Sequence, residues 1–174
     1  LRDEQMPDVA LSASPLGKRI TAVGQDGQGA VIDLDRGVAR KPFQIDLPKK
    51  AAPGAGPVFA AKMLNEDVAA VLTTPERIVL IDAERGGVRR SIAGASEGLP
   101  RVASAEIVER KGKRLKKPEW RFAVAFGARV ELLDGETLAT TGAIVRGGPE
   151  VEALAFDERG ETLAVVTADG AVST

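Results

Sequence analysis

The sequence predicts an all-β fold assembled from repeated antiparallel sheets, and three observations predict it. Nineteen glycines and 10 prolines in 174 residues punctuate the chain about every 8–12 residues, the rhythm of short strands joined by tight turns. The runs between them are rich in Val, Ile, Leu and Ala and partly alternate, as pleated strands with a buried face do. Helical periodicity is nowhere sustained for three turns. Residues 60–70 have helical composition but run into Val71-Leu72-Thr73-Thr74-Pro75, and the repeat below claims them for strands.

Four segments share one pattern of apolar strand, turn and second strand. They are residues 18–27 (KRITAVGQDG), 67–76 (DVAAVLTTPE), 120–127 (WRFAVAFG) and 161–170 (ETLAVVTADG). Aligned on Ile20, Val68, Phe122 and Leu163, they recur at intervals of roughly 40–55 residues. The first three are followed by a further apolar strand closed by aspartate: Val31-Ile32-Asp33-Leu34-Asp35, Ile78-Val79-Leu80-Ile81-Asp82 and Val130-Glu131-Leu132-Leu133-Asp134. Turn residues come next, then a more polar strand such as Val88-Arg89-Arg90-Ser91-Ile92 or Leu138-Ala139-Thr140-Thr141. Four strands per unit at this period predict a β-propeller of four-stranded antiparallel blades. The blades fall at 8–56, 57–98, 99–149 and, incomplete, 150–174, so about three and a half are present.

Residues 151–172, VEALAFDERGETLAVVTADGAV, carry a further signal. The apolar strand ends in a D-x-x-G turn and the next strand ends in Asp-Gly, which resembles the inner half of a blade in the WD40-like propeller superfamily. Val9-Ala10-Leu11-Ser12-Ala13-Ser14-Pro15-Leu16-Gly17-Lys18 resembles the same start. The resemblance covers nearly the whole chain and implies a partial propeller that serves as a protein-interaction scaffold. It departs from the family in lacking Gly-His and Trp-Asp pairs; without histidine, the family's His–Asp hydrogen-bond network cannot form.

Composition removes several function classes. Twenty-four Lys and Arg stand against 25 Asp and Glu, a net charge of −1, so no global field draws the chain to nucleic acid or anionic lipid. Cysteine and histidine are absent, which excludes disulfides and a Cys/His zinc site. With tyrosine also absent, most of the common general bases and nucleophiles are missing. No apolar run approaches the ~20 residues that span a bilayer as a helix. Residues 1–6 are polar and the chain opens on Leu1, so it reads as an excised segment. No targeting signal is visible, and the cytoplasm is favoured over the periplasm.

Gly94-Ala95-Ser96-Glu97-Gly98 matches the G-x-S-x-G nucleophile elbow, but a strand–turn–helix context and a base are both missing. Gly24, Gly27 and Gly29 do not spell a dinucleotide fingerprint and are expected to supply positive φ in a hairpin turn. Asp26, Asp35, Asp82, Asp134 and Asp169 recur at strand ends. Calcium binding or acid–base work is conceivable there, but regular placement favours side chains that cap turns. Residues 49–57, KKAAPGAGP, read as a flexible connection between blades.

The most distinctive feature is a run of six cations in eight residues, Arg110, Lys111, Lys113, Arg114, Lys116 and Lys117, inserted between the first two strands of the third blade. Together with Trp120 these are the candidate partner-contact residues. The run could grip phosphates or an acidic partner, or serve as a solvated tip that suppresses edge aggregation. No aromatic interleaves the cations, so base stacking is not indicated, and Trp120 suits a core or rim anchor.

The function these readings predict is a non-catalytic interaction scaffold, a subunit or segment of a larger assembly, with no catalytic residues, metal or cofactor. Its partner is another protein, or a second copy completing the propeller; aromatic content of 3% points to binding through edges and loops. Two alternatives remain open. One is a carboxylate-only hydrolase at the channel mouth; the other is a nucleic-acid-associated propeller using residues 110–117.

Overall fold

The structure, a computed structural model, describes residues 9–39, 42–47, 58–73, 77–93, 99–110, 112–145 and 148–174. All regular structure among them is strand. The helical alternative at 60–70 is replaced by the end of one strand, a turn and the start of the next. Residues 48–57 and the 94–98 motif lie outside the described residues.

The strands form four antiparallel sheets in which strands pair in chain order, with one exception in the first sheet. The first holds β1 (Val9–Ala13), β2 (Arg19–Gly24) and β3 (Gln28–Asp33). Its fourth position is shared by two short pieces, β4 (Val38–Ala39) and β5 (Phe43–Gln44), which both pair with β3. The second holds β6 (Val58–Met63), β7 (Val68–Thr73), β8 (Arg77–Asp82) and β9 (Val88–Ala93). The third holds β10 (Arg101–Arg110), β11 (Lys113–Phe126), β12 (Arg129–Asp134) and β13 (Thr140–Val145). The fourth has three strands: β14 (Val151–Phe156), β15 (Leu163–Thr167) and β16 (Val172–Ser173). Leu138 and Ala139, expected in a strand, belong to the turn before β13.

Contacts group the chain into two compact units, residues 1–93 and 94–174. In the first, β1 and β2 pack against β6, and the core between the two sheets contains Ala10, Val23 and Val31 with Val58, Met63, Val71, Val79 and Ile81. Alternation places these side chains: Val23 and Val31 are fully buried, while Ile20, Ala22, Ala30 and Ile32 on the opposite face are only partly so. In the second unit β10 and β11 pack against β14, around Ala103, Ala123, Ala125, Val130, Val151 and Val165.

Two local features occur in both units. The first strand of the second sheet carries the same one-residue bulge in both. Val58 pairs with Thr73 and Ala60 with Leu72; likewise Val151 pairs with Thr167 and Ala153 with Val166. Arg19 stands opposite Asp33 and Arg121 opposite Asp134. Each guanidinium reaches the first turn of the following sheet, Arg19 donating to the Glu66 carbonyl and Arg121 to the Gly160 carbonyl at 3.0 Å. A charged donor satisfying an otherwise open turn carbonyl ties sheet to sheet.

Candidate functional site

The cationic run is part of a strand hairpin, and an inserted loop does not describe it. β10 and β11 pair from Arg101↔Ala125 to Ile107↔Glu119 and again at Glu109↔Arg114 and Arg110↔Lys113. Between these stretches Leu115, Lys116, Lys117 and Pro118 stand opposite Val108 alone, a large bulge that bends the strand. Loop composition hid strands here: Lys and Pro are poor strand formers, yet they suit an edge facing water.

Of the predicted contact residues, Lys113, Arg114, Lys116 and Lys117 are brought together as exposed side chains on β11. Lys117 Nζ lies 3.8 Å from Glu136 Oε1, between two largely exposed groups, a contact worth little in water. Arg110 ends β10, and Lys111 lies outside the described residues. Trp120 is different in kind. Its ring sits 6.5 Å from that of Phe122, tilted by 41°, and its carbonyl accepts the Gly135 N–H at 2.9 Å. A Cβ on Gly135 would come within 2.3 Å of the Trp120 Cβ. Trp120 is therefore fitted into the third sheet.

The turn aspartates are occupied by main-chain donors. Asp82 Oδ1 accepts the amides of Glu84 and Arg85 at 2.9 and 2.8 Å. Asp134 Oδ1 accepts those of Glu136 and Thr137 at 3.2 and 2.7 Å, with the Thr137 hydroxyl at 2.7 Å. In the first sheet this role falls to Asp33, which takes the Arg36 amide at 3.2 Å; the expectation had placed it on Asp35. Asp26 and Asp169 cap the Asp-Gly turns through the amides of Gln28 and Ala171. These are Asx turns, made because a short carboxylate reaches the amide two or three residues on. Hydrogen bonds from Thr137, Thr162 and Thr167 respectively are the main reason the carboxyls of Asp134, Asp157 and Asp169 are held below the usual carboxylate range.

Asp157, the aspartate of the D-x-x-G turn, and Ser14, in the matching N-terminal segment, build the same turn. The Ser14 N–H donates to the Arg19 carbonyl at 2.8 Å, and Ser14 Oγ accepts the amides of Lys18 and Arg19 at 3.1 and 3.0 Å. Asp157 donates to the Thr162 carbonyl at 2.9 Å, and its Oδ1 accepts Glu161 and Thr162 at 2.8 and 3.1 Å. The matching strand–turn segments were the available signal. Among the three glycines expected at positive φ, only Gly27 has it, at 79°. Gly29 is required for another reason: a Cβ there would lie 2.3 Å from the Phe43 ring.

One cleft of ≈ 350 Å³ lies between the hairpin tip and the β14–β15 turn, lined by Val108, Glu109, Gly112, Glu158, Arg159 and Glu161. Its carboxylates are exposed, and no group of three or more acidic residues placed to hold a metal ion occurs among the described residues. No helix among the described residues is long and apolar enough to cross a membrane. No protein-family model matches the chain, and no curated protein matches it.

Proposed function

We propose that this chain is a non-catalytic protein-interaction scaffold whose four sheets are blades of a WD40-like propeller, working as a subunit or segment of a larger assembly. The observation that carries the reading is the use made of the recurring carboxylates. Asp33, Asp82, Asp134, Asp157 and Asp169 each accept main-chain amides in turns, which spends them on shape and leaves them poorly placed as bases or ligands. The first-strand contacts between successive sheets in each unit, with the repeated arginine clasp, support blade-like stacking.

Among the described residues, one cleft that brings carboxylates together holds Glu109, Glu158 and Glu161. That cleft lies on a hairpin tip and a turn with its carboxylates exposed, and nothing there excludes water as closed acid–base sites do. The scaffold reading is tested by native co-purification of the full chain from its source, alongside a Lys116→Glu/Lys117→Glu variant. Stoichiometric retention of a protein by the wild type, weakened in the variant, is expected. A chain that purifies alone and hydrolyses a glycoside, with activity lost in Glu158→Gln or Glu161→Gln, would overturn it.

A further inference from the structure

We infer that the open edge of β11 over residues 113–119 is a docking strand for a short, extended, acidic segment of a partner protein, an assignment that rests on the scaffold reading and names its partner's chemistry. β12 pairs with β11 only from Arg121 onward, so on that side residues 113–119 meet no strand among those described. Across the bulge, Leu115, Lys116, Lys117 and Pro118 are also released from β10, where Val108 alone stands opposite. Residues 113, 114 and 116–119 are exposed, and with no described strand on their far side they form an edge open to strand addition. Pro118 fits the same place, because a proline within a sheet is confined to an edge or a bulge.

Charge selects the occupant. Lys113, Arg114, Lys116 and Lys117 are all exposed along this edge. A second copy offering the same strand would set cation against cation, whereas an acidic strand sets opposite charges across the pair. Val108, 49% exposed, and half-buried Leu115 add apolar contact beside the cations, suited to a segment that alternates acidic and aliphatic residues.

Two observations favour a peptide over nucleic acid. Trp120, the nearest aromatic, is half-buried with its ring 6.5 Å from that of Phe122, which limits the face it offers a stacked base. Exposed Glu109, opposite Arg114, and exposed Glu119 interrupt the cations, which suits a short segment better than a polyanion that runs on in both directions.

The test measures fluorescence anisotropy of a labelled alternating Glu–Val hexapeptide with the full chain. Comparison probes are the same peptide N-methylated at every second residue and a single-stranded oligothymidylate of equal charge. The expected result is binding to the unmodified peptide, weakened about tenfold by raised salt and by Lys116→Glu/Lys117→Glu, and about tenfold by N-methylation. The substituted side chains are exposed, and unchanged Trp120 fluorescence verifies that the variant is folded. Equal affinity for the N-methylated peptide would overturn strand pairing, and tighter binding of oligothymidylate would overturn the choice of a peptide. If a native partner is retained equally by wild type and variant, the edge assignment fails while the scaffold reading stands. If the wild type retains no partner at all, the scaffold reading itself fails.

Discussion

Leu138 occupies, in the turn between β12 and β13, the place that Gly86 occupies between β8 and β9. Each is the fourth residue after the turn aspartate, and each donates its N–H to that aspartate's carbonyl, at 2.9 Å to Asp134 and 2.8 Å to Asp82. Their φ angles are 59° and 72°. Gly37, the fourth residue after Asp33, has φ of 62°. A left-handed leucine is strained, and it persists here because its side chain is 2% exposed.

Leu138→Gly therefore removes strain and burial together. Burial is the larger effect, and the expected loss is about 2 kcal/mol in a chemical denaturation experiment. Gly37→Ala isolates the backbone effect, because open space surrounds its Cβ position; the expected cost is about 1 kcal/mol. An unchanged or raised stability for Leu138→Gly would show that the leucine is not held by its burial.

Gly135→Ala should be more damaging than Gly29→Ala. At Gly135 the new Cβ meets Trp120 backbone atoms at 2.5 and 2.7 Å, which cannot swing away. At Gly29 the nearest atoms belong to the Phe43 ring, although the Ala22 carbonyl stands at 2.9 Å. A loss of about 3 kcal/mol or failure to fold is expected for Gly135→Ala, and a smaller loss for Gly29→Ala. Gly142→Ala, whose nearest neighbour would be Leu132 at 3.8 Å, serves as the tolerated control.

Removing a clasp should loosen one sheet from the next while leaving each hairpin paired. Arg121→Ala leaves the Gly160 carbonyl without its guanidinium donor, and Arg19→Ala does the same for Glu66. Each is expected to cost about 1–2 kcal/mol. Hydrogen exchange should speed up at the β14–β15 turn for the first and the β6–β7 turn for the second. Acceleration spread evenly over the chain would contradict a local tie.

Acid should act through the turn aspartates. The carboxyls of Asp134, Asp157 and Asp169 lie below their ordinary value in the folded chain. A lowered folded-state value means that their contribution is fully present above the unfolded value of about 3.9 and is lost as pH falls through the folded one. Stability should thus decline as pH drops below about 4. Asn at the three positions keeps an acceptor oxygen but cannot titrate, so the decline should be shallower in the triple variant. An identical pH profile would assign the acid sensitivity to other groups.

Strand order and turn chemistry were legible in the sequence because each is a local matter. Runs such as Ile78-Val79-Leu80-Ile81, closed by Asp82 and followed by Gly86-Gly87, announce a strand and its turn within ten residues. What depends on distant neighbours was not legible. Gly29 is fixed by Phe43 and Gly135 by Trp120, pairs set by register across strands. The choice of Asp33 over Asp35 follows from where β3 ends, and strand boundaries are the least local part of the pattern. At the candidate site the six cations were visible, but their placement on strands was not. A bulge opposite Val108 leaves no periodicity to read.

The central claim, that this chain binds a partner protein at the β10–β11 hairpin, is tested most directly by amine-reactive cross-linking of the chain isolated in its native complex. Lys113, Lys116 and Lys117 should link to acidic-segment neighbours in one partner protein, while Lys18, exposed in the Ser14 turn, should not. Links to that partner equally from Lys18, or none from the hairpin lysines, would contradict the account.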